Sequence, residues 1–120
     1  MAEHYSSFKR GGRRWLLQRI TAVFLIGVLA FHFFLLHFVN HADQITFLGT
    51  QARMSQVGYF ATMWLFLVTA TFHGVNGVYN ALVNQGIDGK AKRAAQIVLG
   101  VASILLVVQG VRVANALAGF

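Results

Sequence analysis

Three long apolar runs separated by short polar segments dominate the chain, at about residues 15–39, 57–83 and 94–117. Each exceeds the ~20 apolar residues that a helix needs to cross a ~30 Å hydrocarbon layer. None alternates with the period of two that marks a half-buried strand. The pattern predicts an all-α integral membrane protein, a single domain over residues 1–120 with three transmembrane helices. Residues 1–14 read as a polar, basic arm lying on the inner interface, with Gly11-Gly12 as a flexible break. The first apolar run is about 24 residues long, whereas the apolar part of a secretory signal covers only ~7–15. No small-residue cleavage site follows it, so the run is expected to stay in the mature protein. Residues 40–56 form an outer connection, polar and poor in charge, from which Phe47 dips back into the interface. Trp15 stands at the inner interface and Tyr59 and Trp64 lie toward the outer one, as aromatic belts do. The stretch Asn84-Gln85-Gly86-Ile87-Asp88-Gly89 ends the second run, and its glycines supply the positive φ that a helix terminus commonly uses.

Composition narrows the class. Of 120 residues, 57% are hydrophobic and 11% charged, which leaves too little polar surface for a soluble domain of this size. There is no cysteine, so disulfides, thiolate metal sites and iron–sulfur ligation are excluded. The net charge of +7 invites a nucleic-acid partner, but its placement argues against one. Lys9, Arg10, Arg13, Arg14 and Arg19 precede or open the first run, and Lys90, Lys92 and Arg93 lie between the second and third. Basic residues at alternate membrane ends follow the positive-inside rule, not the stripe that binds phosphates. The N-terminus is therefore expected on the cytoplasmic side and the C-terminus outside.

The remaining chemistry sits on polar residues within the spans. The three acids, Glu3, Asp43 and Asp88, all lie outside them, so no general acid–base pair is available at depth. On a helix, His73, Asn76, Gly77, Asn80 and Asn84 share one narrow face. An ionisable residue inside a membrane span is costly and marks a functional site by default. Gly74 and Gly77 remove side chains beside His73, opening the backbone to a large flat group. The opposing reading is a histidine hydrogen-bonded to a neighbouring helix, with glycines for packing. From the residues alone both stand.

In the first span, Arg19 either snorkels toward the headgroups or faces inward to hold a polar ligand head. His37 falls on the face of Arg19, while His32 shares its face with Thr21, Leu25 and Leu36. His41 reads as a loop residue. In the third span, Gln96, Gly100, Ser103, Val107, Gly110 and Ala114 form a small-residue seam of the kind that packs helix against helix. Neutral imidazole in an apolar bundle is a common axial ligand of haem iron. At 1.5 Å per residue, His32 lies ~26 Å beyond Trp15 and His73 ~16 Å from Asn84, so the two are not expected to clamp one iron. Each would pair with a histidine of another helix. Three helices cannot enclose a porphyrin, which implies a partner subunit and makes this chain half of a heterodimeric helical bundle.

Two segments carry a resemblance. Arg19-Ile20-Thr21-Ala22, followed by His32 and His37, resembles an R-x-S-G … G-H-x4-H first helix, with Thr21 for Ser and Ala22 for Gly. Phe72-His73-Gly74-Val75-Asn76-Gly77 resembles an H-G-x-N-G second helix. Both belong to the D-type hydrophobic membrane anchors of succinate dehydrogenase (respiratory complex II) and related fumarate reductases, and the similarity covers about residues 13–117. The resemblance implies a non-catalytic subunit in the cytoplasmic membrane of a prokaryote. There it works with a second hydrophobic anchor subunit to hold an iron–sulfur subunit and a flavoprotein subunit. It further implies b-type haem, one or two per anchor pair, and a quinone site. By position, His73, His32 and His37 are haem-ligand candidates, Asn76 and Gly77 border the cofactor, and Arg19 meets a propionate or the quinone. Thr21, Asn84 and Gln85 are quinone candidates. Val83-Asn84-Gln85 stands where relatives carry Asp-Asp-Tyr or Asp-Tyr, so the family's quinone tyrosine is missing. The alternatives are a haem-free structural anchor and a fumarate reductase anchor. A transporter would show inverted repeats, which the sequence lacks. A diffusible b-type cytochrome would need ligand pairs at matching depth within the chain.

Overall fold

The computed structural model describes residues 2–119, with side chains from Gly12 onward. Helix α1 spans Ala2–Phe34 and continues into a π-helical turn, Leu35–Val39. It passes through Gly11-Gly12 without a break, contrary to the flexible hinge expected there. The chain has no proline to interrupt the hydrogen-bond ladder, and a glycine costs a helix only about 1 kcal/mol. The π turn is closed by Asn40 N–H donating to the Leu35 carbonyl at 2.9 Å, an i→i+5 bond that inserts one residue and rotates the chain beyond it. His41, at φ 53°, turns the chain and is exposed, as befits a loop residue.

The outer connection is more ordered than its polarity suggests. After a short 3₁₀ turn, Ala42–Gln44, it forms α2, Phe47–Met54. Thr46 caps this helix, its Oγ1 accepting from Gly49 N–H at 3.1 Å. Met54 is buried, whereas Phe47 and Leu48 are 66% and 74% exposed. Helix α2 therefore rests on the two helices that follow it in the chain, with an apolar edge turned outward. These are α3, Val57–Asn84, and α4, Gly89–Ala118. The turn between them uses Gly86 at φ 91° and Gly89 at φ 52°, as the sequence predicts. Helix α4 begins earlier than its apolar run, so Lys90, Lys92 and Arg93 form its first turns. Hydropathy marks where apolar residues begin, but the helix starts at the extended Asp88, φ −145°.

Three helices, Gly12–Val39, Val57–Asn84 and Gly89–Ala118, are long and apolar enough to cross a membrane. Helix α3 is central, with α1 packed on one side and α4 on the other, and among the described residues α1 and α4 make no close backbone approach. The result is an open layer. Val28, Met54, Ala114 and Asn76 are the buried residues among those described, while Val23, Ile26 and Ile104 remain 66–72% exposed. Such continuous apolar surface needs lipid or a partner to cover it. An integral membrane helical protein, open on both sides of its middle helix, is consistent with the pattern of apolar runs.

The small-residue seam of α4 behaves differently along its length. At Gly110 an added Cβ would come within 2.5 Å of Leu67 Cδ2, so the outer half is a close helix contact. At Gly100 nothing lies within 4 Å, so the inner half stands open. Gly110→Ala is expected to cost about 1–3 kcal/mol of helix packing, because Leu67 must leave its place. Gly100→Ala is expected to be neutral or slightly stabilising. Thermal unfolding of the two variants in one detergent checks the contrast.

Candidate functional site

The polar residues of α1 and α3 meet near the inner end of the layer. On α1, Arg14, Gln18, Thr21, Leu25, Val28 and His32 recur at spacings of four and three, forming one face. That face meets the α3 face bearing Met63, Phe66, Ala70 and His73. Asn76 is 9% exposed, the one buried polar residue among those described, and its Nδ2 donates to Gln18 Oε1 at 2.8 Å. Gln18 Nε2 donates to the His73 carbonyl at 3.1 Å. Gly77 makes room for this amide, since a Cβ there would stand 3.4 Å from Gln18 Nε2. The amide of Gln18 is thus spent at both ends on α3.

His73 is bonded through its side chain as well. Thr21 Oγ1 lies 3.1 Å from His73 Nδ1 and donates to the Gln18 carbonyl at 3.1 Å. A hydroxyl has one proton, so its oxygen accepts from Nδ1–H when that proton goes to the carbonyl. In that arrangement the hydrogen sits on Nδ1 and the lone pair on Nε2, a form in which histidine ligates metals. The ring borders an open apolar groove of about 370 Å³, walled by Ala22, Leu25, Leu29, Phe66, Ala70 and Gly74. At Gly74 nothing lies within 4 Å of an added Cβ, which leaves the groove wall flat. Among the described residues no three His, Asp or Glu side chains gather. A metal at His73 would have to bring most of its own donors.

The other candidates are dispersed. His32 lines a small cavity of about 50 Å³ with Val28, Leu29, Met63 and Phe66, beyond Leu29 and Phe66 as seen from His73. It stands eleven residues past Thr21 on α1, so ~16 Å farther along the axis. His37, in the π turn, stacks on Phe33 at 4.1 Å and pairs its Nδ1 with the Phe33 carbonyl at 3.0 Å, away from His73. The Arg19 guanidinium lies 5.1 Å over the Trp15 ring, an interfacial cation–π contact. Asn80, Asn84 and Gln85 lie toward the inner end, and all three are exposed. Hydropathy and motif spacing do not single out Gln18. Gln18 stands among Leu16, Leu17 and Arg19 at the span boundary and reads as an interfacial residue, although its spacing from Thr21 puts it on the seam.

Comparison with known proteins gives a consistent answer. Residues 2–109 match the family described as succinate dehydrogenase/fumarate reductase transmembrane subunit. The succinate dehydrogenase hydrophobic membrane anchor subunit of Archaeoglobus fulgidus is 28% identical over 91 residues, covering 76% of this chain and 77% of that one. The protein of the same name from Thermoplasma acidophilum is 25% identical over 103 residues, covering 85% and 83%. No solved structure matches significantly. With nearly its whole length matched and three membrane-spanning helices in place, the chain belongs to the succinate dehydrogenase/fumarate reductase transmembrane subunit family.

Proposed function

We propose that this chain is one of two membrane anchors of a succinate:quinone oxidoreductase, and that it holds one face of a b-type haem through His73. The supporting observation is the contact of Thr21 Oγ1 with His73 Nδ1 on a ring that borders an apolar groove; with Thr21 accepting from Nδ1–H, the Nε2 lone pair is free for the iron. The residues fit the group. Ala22, Ala70 and Gly74 keep the groove walls shallow, and Leu25, Leu29 and Phe66 exclude water. Haem bound here would supply a one-electron carrier near the inner side of the membrane. Gln18 and Asn76 fix α1 against α3, so that Thr21 and His73 meet at a set distance. His32, at its separate depth, belongs to a second haem site in this reading, paired with a histidine of the partner anchor. His37 is the third ligand candidate. Thr21 serves His73 rather than quinone, because its hydroxyl is already engaged at both proton and lone pair. Quinone would be met near the inner end by Arg19, Asn84 or Gln85, together with the second anchor.

The same bonds also favour a second reading, a haem-free anchor. The Gln18–Asn76 pair ties the two helices without any cofactor.

The anchor role places the basic ends of α1 and α4 on the cytoplasmic side, where the iron–sulfur and flavoprotein subunits dock. In sealed prokaryotic cells, an impermeant amine reagent is expected to leave Lys90 and Lys92 unmodified until the membrane is opened. Membranes solubilised in mild detergent should yield the chain together with the flavoprotein. Modification of Lys90 or Lys92 from outside would reverse the topology and refute the docking face.

A further inference from the structure

The open inner half of the α3/α4 seam has a shape that the anchor role does not use, and it leads to the basic end of α4 on the docking side. Between α3 and α4 runs a groove of about 490 Å³, bordered by Val68, Phe72, Val75, Leu99 and Gly100, with Arg14 at its mouth. Its reach along α3, from Val68 to Tyr79, is ~16 Å, close to the depth of one leaflet of a ~30 Å hydrocarbon layer. Two hydroxyls on its wall are already spent, Thr71 on the Leu67 carbonyl at 2.8 Å and Ser103 on the Leu99 carbonyl at 2.7 Å. Asn76 also borders it, its Nδ2 donating to Gln18 Oε1, and the rest of the shaft is apolar in effect.

At the inner end the groove meets a second hollow, about 500 Å³, lined by Gly89, Lys90, Lys92, Arg93 and Gln96. Gln96 lines both, and its Nε2 donates to Tyr79 Oη at 3.0 Å across the junction. Arg93, Gln96, Gly100 and Ser103 recur at spacings of three and four, so the basic hollow and the groove lie on one face of α4. Asp88, exposed at the helix start, is the one acid in that loop.

We propose that this joined cavity holds one anionic phospholipid of the inner leaflet, its apolar chain in the groove and its phosphate among Lys90, Lys92, Arg93 and Arg14. An uncharged quinone has no use for these cations. A partner helix would run the full membrane depth, whereas the groove ends at mid-depth, where Gly110 closes on Leu67.

The test uses the whole complex purified in mild detergent, with retained phospholipid counted by mass spectrometry. Binding is then read in nanodiscs of phosphatidylglycerol mixed with phosphatidylcholine. Gly100→Leu projects into the groove without striking protein atoms at its Cβ, since nothing lies within 4 Å of that position. Lys92→Gln with Arg93→Gln leaves the groove intact and keeps Lys90 for orientation. Wild type is expected to retain one phosphatidylglycerol per complex. Gly100→Leu should lose it although every basic residue remains. The double glutamine variant should bind phosphatidylglycerol on the order of 25-fold more weakly at low salt, with the difference shrinking as salt rises. Undiminished retention in Gly100→Leu, or an unchanged lipid preference in the double variant, overturns the proposal. Specific crosslinking of a photoreactive quinone at Gly100, with no retained lipid, reassigns the groove to quinone and overturns it as well.

Discussion

Replacing His73 with leucine is expected to remove one b-type haem from the complex while the chain still inserts and assembles. The substitution leaves the helix pair tied. Gln18 bonds the backbone carbonyl of residue 73, not its ring, and Gln18 also holds Asn76, so both bonds survive the change. Leucine is apolar and falls among Leu25, Leu29 and Phe66, which raises the apolarity of the span. Only the Thr21 contact disappears, and the freed hydroxyl keeps its bond to the Gln18 carbonyl. Assembly is read from flavin co-purifying with the membrane subunits, and haem from the reduced pyridine haemochrome. Loss of about half or all of the haem, at unchanged flavin, is the expected outcome. Full haem with an unchanged spectrum would remove His73 from the ligand set.

Thr21→Val is expected to show that the hydroxyl positions and tunes the ligand. Valine keeps the shape but removes the acceptor for the Nδ1 proton. The ring then carries an unpaired N–H at depth, loses its orientation, and becomes a weaker donor. Partners that hold the far nitrogen of a metal-bound histidine typically matter by ~10–100-fold in affinity. We expect partial haem loss during purification and, in the haem retained, a midpoint potential shifted upward, because a weaker donor stabilises ferric iron less. Thr21→Ser restores the acceptor and should restore the potential. A merely structural role for Thr21 would lower yield without moving the potential, and serine would give no spectroscopic rescue.

Much of this is legible in the residue pattern, for reasons that differ by element. The three spans follow from hydropathy because lipid leaves a single chain of this kind no other solution for its backbone at depth than helices. His73 is legible because an imidazole among Phe, Leu and Val is costly without a partner, and its offset from His32 follows from helical rise alone. The features that escape the pattern are those decided by tertiary contact. Gln18 stands at the span boundary, where a polar residue is unremarkable, and only the approach of Gly77 reveals its role. Helix α2 is eight residues long, too short for periodicity, although Thr46 ahead of Phe47 is a serviceable N-cap signal. The π turn at Leu35–Val39 breaks the 3.6-residue count on which the shared face of Arg19 and His37 depends. Gly77, expected to open the backbone to a flat cofactor, instead admits Gln18, while Gly74 lines the groove beside His73. The α4 seam reads as one uniform stripe in sequence, yet Gly110 is packed and Gly100 is open, and the groove wall opposite that inner half is built from Phe72, Val75 and Tyr79.

The most direct measurement is a dithionite-reduced minus oxidised spectrum of the purified complex, with haem quantified against flavin. A b-type signal at one or two haems per flavin is expected, two if His32 serves its own site at its separate depth. A complex fully loaded with flavin and devoid of haem would contradict the haem assignment, and would leave the bonds among Gln18, Thr21, His73 and Asn76 as helix packing.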